Sequence, residues 1–193
     1  MTVRSYAADW TAALERTAHF NLAVPAQPAP TEERYLTEVR HAEFPYVVRR
    51  ALGQVAARDI VAQCMAIHIR LRPAIEEWLG CAAHFTIGWV DVDAGKPLFK
   101  FDDTFIADKL ASGHPGGLIS LHAWITLPTM EVIDASLPTT FAVLQNLREG
   151  HGSVIASRAD ELKDFAYRPM LVGDDFLRKT GILIEGSIRS ILQ

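Results

Sequence analysis

The sequence is poor in the features that mark several protein classes. Only two cysteines, Cys64 and Cys81, occur among 193 residues, so a disulfide scaffold is not expected and a reducing compartment is the simpler prediction. There is no run of about 18 apolar residues, and the N-terminal stretch Met1–Tyr6 lacks the apolar core of a secretory signal. We therefore expect a cytoplasmic protein with no membrane contact, although export by a signal-independent route, as an effector, stays open.

An excess of one charge is also missing. The chain carries 23 acidic and 19 basic residues, well mixed along its length, for a formal net charge of −4. It has no basic stripe of the kind that a phosphate backbone requires, so nucleic acid is not an expected partner. It also has no loop of alternating Asp or Asn ligands, so calcium is not expected, and we predict no metal and no cofactor.

The apolar residues make up 49% of the chain, and its length fits one domain with an extra arm. Residues 5–19 repeat bulky and small side chains at helical spacing and predict an amphipathic helix. The positions that share its expected apolar face are Tyr6, Trp10, Leu14 and Ala18. The proline-rich stretch 24–30 predicts an extended linker. We therefore divide the chain into an N-terminal helical arm with its linker, 1–34, and a main domain, 35–193.

Within the main domain the hydrophobic period changes from that of helices to that of strands. Helical spacing predicts a helix over 46–57 and a second that Asp59 caps and Gly80 ends, with Cys64 about one turn past the cap. The other expected elements are strands at 84–91, 97–101, 118–127, 131–133, 154–155 and 167–172, a turn at 93–96, and helices at 103–111 and 174–192. Residues 138–147 fit neither pattern. Helices followed by an antiparallel sheet indicate an α+β fold.

Three residues of these elements form a candidate catalytic set. A cysteine nucleophile acts as a thiolate, which the positive end of a helix dipole stabilises, and Cys64 is predicted near such an end. Its base is usually a histidine that a third polar group orients. His122 in one strand and Asp134 after the next can lie side by side, because a tight turn makes consecutive strands antiparallel neighbours.

Short motifs surround this set. They are Gln63-Cys64, Phe85-Thr86-Ile87-Gly88-Trp89-Val90, His122-Ala123-Trp124 and Glu131-Val132-Ile133-Asp134-Ala135-Ser136. In type and order they resemble the catalytic helix, first strand, His-x-Trp strand and Val-Leu-Asp-Ala-Thr element of the transglutaminase-like superfamily of cysteine hydrolases and acyltransferases. The resemblance covers 59–137, and the short spacing from cysteine to histidine is similar to that of compact bacterial members. It departs from the family at Ala62, where the family has glycine.

The resemblance implies a transglutaminase-like (papain-like) catalytic domain over 35–193. Cys64 would attack an amide or ester carbonyl and form a thioester, His122 would move the proton, and Asp134 would hold the imidazole. The implied activity is that of a cysteine peptidase, amidase or acyltransferase. Its partner would be a peptide, protein or peptide-like substrate, and the oligomeric state is left open.

Other residues near the set have two interpretations each. Trp124 shares a strand face with His122 and is a candidate substrate-binding residue, but packing explains it equally well. Gln63, beside the nucleophile, is the second candidate for substrate binding. Cys81 follows a helix end and is interpreted as structural. His68 lies one turn after Cys64, so a metal pair would be conceivable only if folding brought further ligands to it.

The catalytic residues also have structural interpretations when each is taken alone. Cys64 and His122 would fit buried core positions, and Asp134 would fit a turn or cap before Ala135-Ser136. Their joint occurrence in family order favours a site. The alternative function is a non-catalytic binding module on the same fold.

Overall fold

The computed structural model describes residues 5–27, 31, 33–61, 63–92, 96–117 and 119–182. Its elements in chain order are α1 (Tyr6–His19), α2 (Glu38–Leu52), α3 (Ala57–Ile60), α4 (Cys64–Leu79), β1 (His84–Val92), β2 (Lys96–Leu98), α5 (Asp103–Ser112), β3 (His122–Thr126), β4 (Glu131–Asp134), α6 (Leu137–Leu144), β5 (Ile155–Arg158), β6 (Phe165–Val172) and α7 (Asp175–Lys179). The strand pairs β1–β2, β1–β6, β3–β4 and β4–β5 are all antiparallel. The expected α+β class is therefore confirmed.

The chain forms two compact units, and the first combines 1–26, 86–122 and 162–193. Here β1 pairs with β2 on one side and with β6 on the other. Helix α1 packs on β6, and the Thr17 hydroxyl accepts a hydrogen bond of 2.9 Å from the Val172 N–H. The buried face of α1 runs through Tyr6, Trp10, Ala13 and Thr17, so the expectation that Leu14 and Ala18 complete it is wrong.

The second unit combines 27–85 and 123–161. Strand β4 lies between β3 and β5, with Ile125 opposite Ile133 and Thr126 opposite Val132. Helices α2 and α4 pack together. Its hydrophobic core is formed by Leu36, Phe44, Val47, Leu52, Ile67, Leu71, Ile75, Ala83, Ile125, Leu127, Ile133 and Ala135.

A buried carboxylate fixes the start of this unit. Glu131, 1% exposed, accepts hydrogen bonds from the backbone N–H groups of Tyr35 and Leu36 at 3.0 and 3.1 Å. The Thr129 hydroxyl donates to the same carboxylate. Each ionised oxygen thus has donors, which is the condition under which burial of a carboxylate is tolerated. The segment before α2 is therefore held on β4 through its backbone.

The expected boundaries of α2 are wrong at both ends. The helix begins at Glu38 because the Thr37 hydroxyl accepts a hydrogen bond from the Arg40 N–H and caps it. It runs through Pro45, at the loss of one backbone hydrogen bond, whereas the sequence pattern suggested a start after that residue. Gly53, with φ +77°, ends it five residues earlier than expected, since this backbone conformation favours glycine.

The predicted N-cap of the helix that carries Cys64 is also wrong. Asp59 lies inside the short helix α3, and Gln63 is the N-cap residue of α4. Cys64 is consequently the first residue of α4, one turn closer to the helix end than expected. The helix continues through Pro73 and stops at Gly80 in the left-handed conformation, as predicted.

Some of the remaining predicted elements lie where they were expected, and others do not. Strands β1, β4 and β6 and helix α5 lie where the patterns predicted them, within one or two residues. Strand β3 begins at His122, later than predicted, and residues 138–147, which fitted no pattern, contain most of α6. The expected C-terminal helix is confined in the described residues to α7. Its continuation over 183–192, the prolines at 28–30 and the turn residues 93–95 lie outside the described residues.

Within the described ranges, no helix is both long enough and apolar enough to span a bilayer.

Candidate active site

Cys64 opens the 16-residue helix α4 and is a free cysteine, 8% exposed. The first-turn N–H groups of an α-helix have no acceptor within the helix, so they form its positive end. The first turn of α4 contains no acidic residue. A thiolate at this position would therefore face the helix dipole without a carboxylate on the same turn to repel it.

His68, one turn further along α4, links this helix end to β4. Its side chain is fully buried, and Nδ1 lies 2.7 Å from the carbonyl oxygen of Cys64. On the other side of the ring, Nε2 lies 3.0 Å from the backbone N–H of Ala135. One imidazole thus joins the backbone of Cys64 to the residue that follows Asp134.

The partners of His68 indicate which ring nitrogen carries the proton. A backbone N–H is always a donor, so Nε2 must offer its lone pair and Nδ1 must carry the proton that it donates to Cys64. The Asp134 carboxylate oxygen Oδ1 also lies 3.5 Å from Nε2, a distance that would be an ion pair only for a protonated ring. Because Nε2 accepts from Ala135, we interpret the 3.5 Å approach of Asp134 as a contact and not as the principal hydrogen bond of this ring nitrogen.

Asp134 ends β4 and is fully buried. Its Oδ1 accepts hydrogen bonds from the Ser136 N–H at 2.9 Å, the Ser136 hydroxyl at 3.0 Å and the Leu137 N–H at 2.9 Å. These donors all lie at the start of α6, so Asp134 has the turn and capping role that the sequence allowed for it. They also fix the rotation of the carboxylate, which an orienting group requires.

His122 opens β3 and is the last residue of the first unit. Its side chain is buried, and its ring stacks on Phe99 with centroids 5.5 Å apart and planes 24° apart. Phe99 has φ +62°, a left-handed conformation that bulky residues rarely adopt. Strained residues of this kind persist where surrounding structure imposes them, often at functional sites.

The two candidate substrate-binding residues differ in exposure. Trp124 follows His122 by two residues in β3 and is fully buried, in the position that packing requires. Gln63 is half-buried and gives α4 no side-chain cap. A contact of either residue with a substrate stays a prediction.

The second cysteine lies in a different environment. Burial, followed by the nearby carboxylates of Glu131 and Glu76, raises the pKa of the Cys81 thiol to about 11, while its hydrogen bond with Tyr35 opposes the shift. A thiol with this pKa is almost entirely neutral at ordinary pH and is therefore a poor nucleophile. The two cysteines are thus distinguishable by their chemistry.

Within the described residues, Cys64, His68 and Asp134 come together in the second unit, and His122 is described with the first. No set of three or more His, Cys, Asp or Glu side chains in those residues is placed to hold a metal ion. In the loop after α5, His114 Nε2 lies 3.2 Å from the Gly117 carbonyl oxygen. The bridging role of His68 was missed in the sequence, although its spacing of four from Cys64 was the signal that pointed to a shared helix face.

Comparison of the chain with protein-family models, with curated proteins and with solved structures finds no match.

Proposed function

We propose that this protein is a cysteine hydrolase or acyltransferase with a transglutaminase-like active site, acting on an amide bond of a peptide, protein or peptide-like substrate. The observation that carries the proposal is the position of Cys64, which is not in a disulfide, as the first residue of a 16-residue helix with no acidic residue in its first turn. The order of Cys64, His122 and Asp134 along the chain supports it.

In the proposed reaction the Cys64 sulfur attacks the substrate carbonyl carbon, and His122 takes the thiol proton. The tetrahedral intermediate collapses to a thioester as His122 returns that proton to the leaving amine. The backbone N–H of Cys64 is the first candidate donor to the oxyanion. Water or an amine then releases the acyl group and restores the thiol, and the same thioester serves hydrolysis and transfer.

His68 would serve this site as a positioning residue. By holding the Cys64 carbonyl and the Ala135 N–H, it keeps the first turn of α4 and the end of β4 at a fixed separation. Cys64, the proposed nucleophile, lies in the first turn of α4. Asp134, the proposed orienting carboxylate, is the neighbour of Ala135 at the end of β4. A site whose geometry must hold within about 0.5 Å benefits from such a tie.

The test is alkylation by iodoacetamide at pH 6, with peptide mass spectrometry to assign the modified cysteine. Cys81, at five pH units below its pKa of about 11, should react negligibly. We expect Cys64 to react faster than the free thiol of glutathione under the same conditions. The fast phase should survive in a Cys81→Ala variant and vanish in Cys64→Ala. Alkylation of Cys64 no faster than glutathione would contradict the proposal and favour a non-catalytic binding module.

A further inference from the structure

The second unit contains a cleft of about 520 Å³ beside α2. Its volume lies within the range of small-molecule sites, roughly 300–1,000 Å³. The floor is apolar and reaches the hydrophobic core through Phe44, Leu52, Ile67 and Ala135. It is therefore an opening into the core and not a shallow surface depression, and an apolar ligand would complete the packing there.

The rim of the cleft is polar and carries the formal positive charge of Arg49. Helix α2 contributes His41 and Arg49, two turns apart on the face that also carries Val48 and Leu52, and Gln54 follows the helix. No aspartate or glutamate is among the described residues that line it. The chain as a whole carries a net charge of −4, so a rim with an arginine and no carboxylate among its described residues departs from the general balance.

Arg49 differs from the other arginines of α2. Arg40 pairs with Glu43, and Arg50 pairs with Glu77, each at 3.2 Å. Arg49 is exposed and forms no ion pair with any residue that the structure describes. A guanidinium at the edge of an apolar cavity is well suited to a carboxylate, to which it can donate two parallel hydrogen bonds.

From these features we infer that the cleft is a binding site for a small amphipathic carboxylate, with the apolar chain on the floor and the carboxylate at Arg49. The apolar floor provides affinity through burial, and the guanidinium selects the charge and sets the orientation. This inference does not rest on the proposed catalytic function, since the cleft lining does not include Cys64, His122 or Asp134.

The test uses octanoate as the probe and octanamide, which has the same chain without the charge, as its neutral comparator. Isothermal titration should give saturable one-to-one binding of octanoate to the full chain and binding of octanamide weaker by about tenfold or more. The Cys64→Ala variant should bind octanoate as the native chain does, which separates this site from the catalytic proposal.

Two variants locate the carboxylate. Arg49→Gln should weaken octanoate binding about tenfold or more, because the charge-assisted pair is lost. Its matched control is Arg50→Gln on the same helix, where the guanidinium is engaged with Glu77 outside the cleft and affinity should stay within about twofold. Gln54→Glu places a negative charge at the rim and should weaken octanoate but not octanamide.

Three results would overturn the inference. They are no saturable binding of octanoate, equal affinity for octanamide, and unchanged octanoate affinity in Arg49→Gln. The side chains of Arg49, Arg50 and Gln54 are exposed, so their variants should fold, and circular dichroism of each variant, Cys64→Ala included, checks this directly.

Discussion

Phe99 stacks on the ring of His122, with the ring centroids 5.5 Å apart, from a backbone conformation that has φ +62°. An aromatic pair of this geometry contributes about 0.5–1.5 kcal/mol beyond its buried area. A left-handed conformation costs a non-glycine residue roughly 1–2 kcal/mol. The two energies are similar, so the stacking energy offsets most of the backbone strain at Phe99. The contact restrains the ring of His122.

Substitutions at Phe99 should separate these terms. Phe99→Ala removes the stack and keeps the strain, whereas Phe99→Gly removes both. We therefore expect the glycine variant to be the more stable of the two by about 1 kcal/mol, as measured by urea unfolding. At Ala111 in α5, the control, glycine should instead be less stable than alanine by about 1 kcal/mol. If glycine were less stable than alanine at position 99 as well as at position 111, Phe99 would not be strained.

The bridge made by His68 predicts a large loss of stability when it is removed. His68→Ala removes the ring that accepts from the Ala135 N–H and that contacts the Cys64 carbonyl, and a buried group that loses its hydrogen bond costs about 1–3 kcal/mol. We expect a total loss of about 2–5 kcal/mol in the free energy of unfolding. His41→Ala, at an exposed position, should stay within about 0.5 kcal/mol.

The catalytic part of the His68 proposal needs a separate readout. If His68 positions Cys64, then His68→Gln should slow alkylation of Cys64 at pH 6 under conditions where the variant remains folded. Unchanged alkylation in a folded but destabilised variant would give His68 a purely structural role.

Sequence reasoning predicted an element correctly where the residues of that element alone determine its structure. The alternation of Phe85 and Ile87 predicts β1, because period two has no helical equivalent, and Gly80 predicts the end of α4 from its own conformational freedom. Sequence reasoning failed where two nearby residues could each serve as the N-cap of a helix. Asp59 is a residue type that often caps helices, but it lies inside the separate short helix α3. The N-cap residue of α4 is Gln63 instead. The link from His68 to Ala135 spans 67 positions, and no local pattern contains it.

Glu131 offers a test of how the segment before α2 is held. In Glu131→Gln the amide nitrogen cannot accept one of the two backbone N–H groups, so we expect a loss of about 1.5–3 kcal/mol. Proteolysis within 27–36 should become faster as this segment detaches. The control is Glu161→Gln, which removes the exposed pair with Arg34 on the same segment and should cost no more than about 1 kcal/mol. Equal losses in both variants would contradict the assignment.

His84 predicts a pH dependence of stability. Burial, assisted by Arg72 and opposed by Glu76, lowers the pKa of His84 below its ordinary 6.5. Below pH 6.5 the unfolded chain therefore binds this proton while the folded chain resists it, so the contribution to stability falls as the pH falls. Between pH 7.5 and 5 the native chain should lose more free energy of unfolding than His84→Gln does. A steeper loss in the variant would reverse the sign and refute the assignment.

The carboxylate of Glu131 recognises backbone N–H groups, which every amino acid except proline provides. The attachment that it makes is therefore indifferent to which side chains stand at positions 35 and 36. Those two positions can diverge in sequence, within the limits that packing sets for Leu36 and that packing and the hydrogen bond with Cys81 set for Tyr35, while the path of the chain stays the same. A proline at either position would remove one N–H donor. We therefore expect positions 35 and 36 to tolerate many substitutions but not proline.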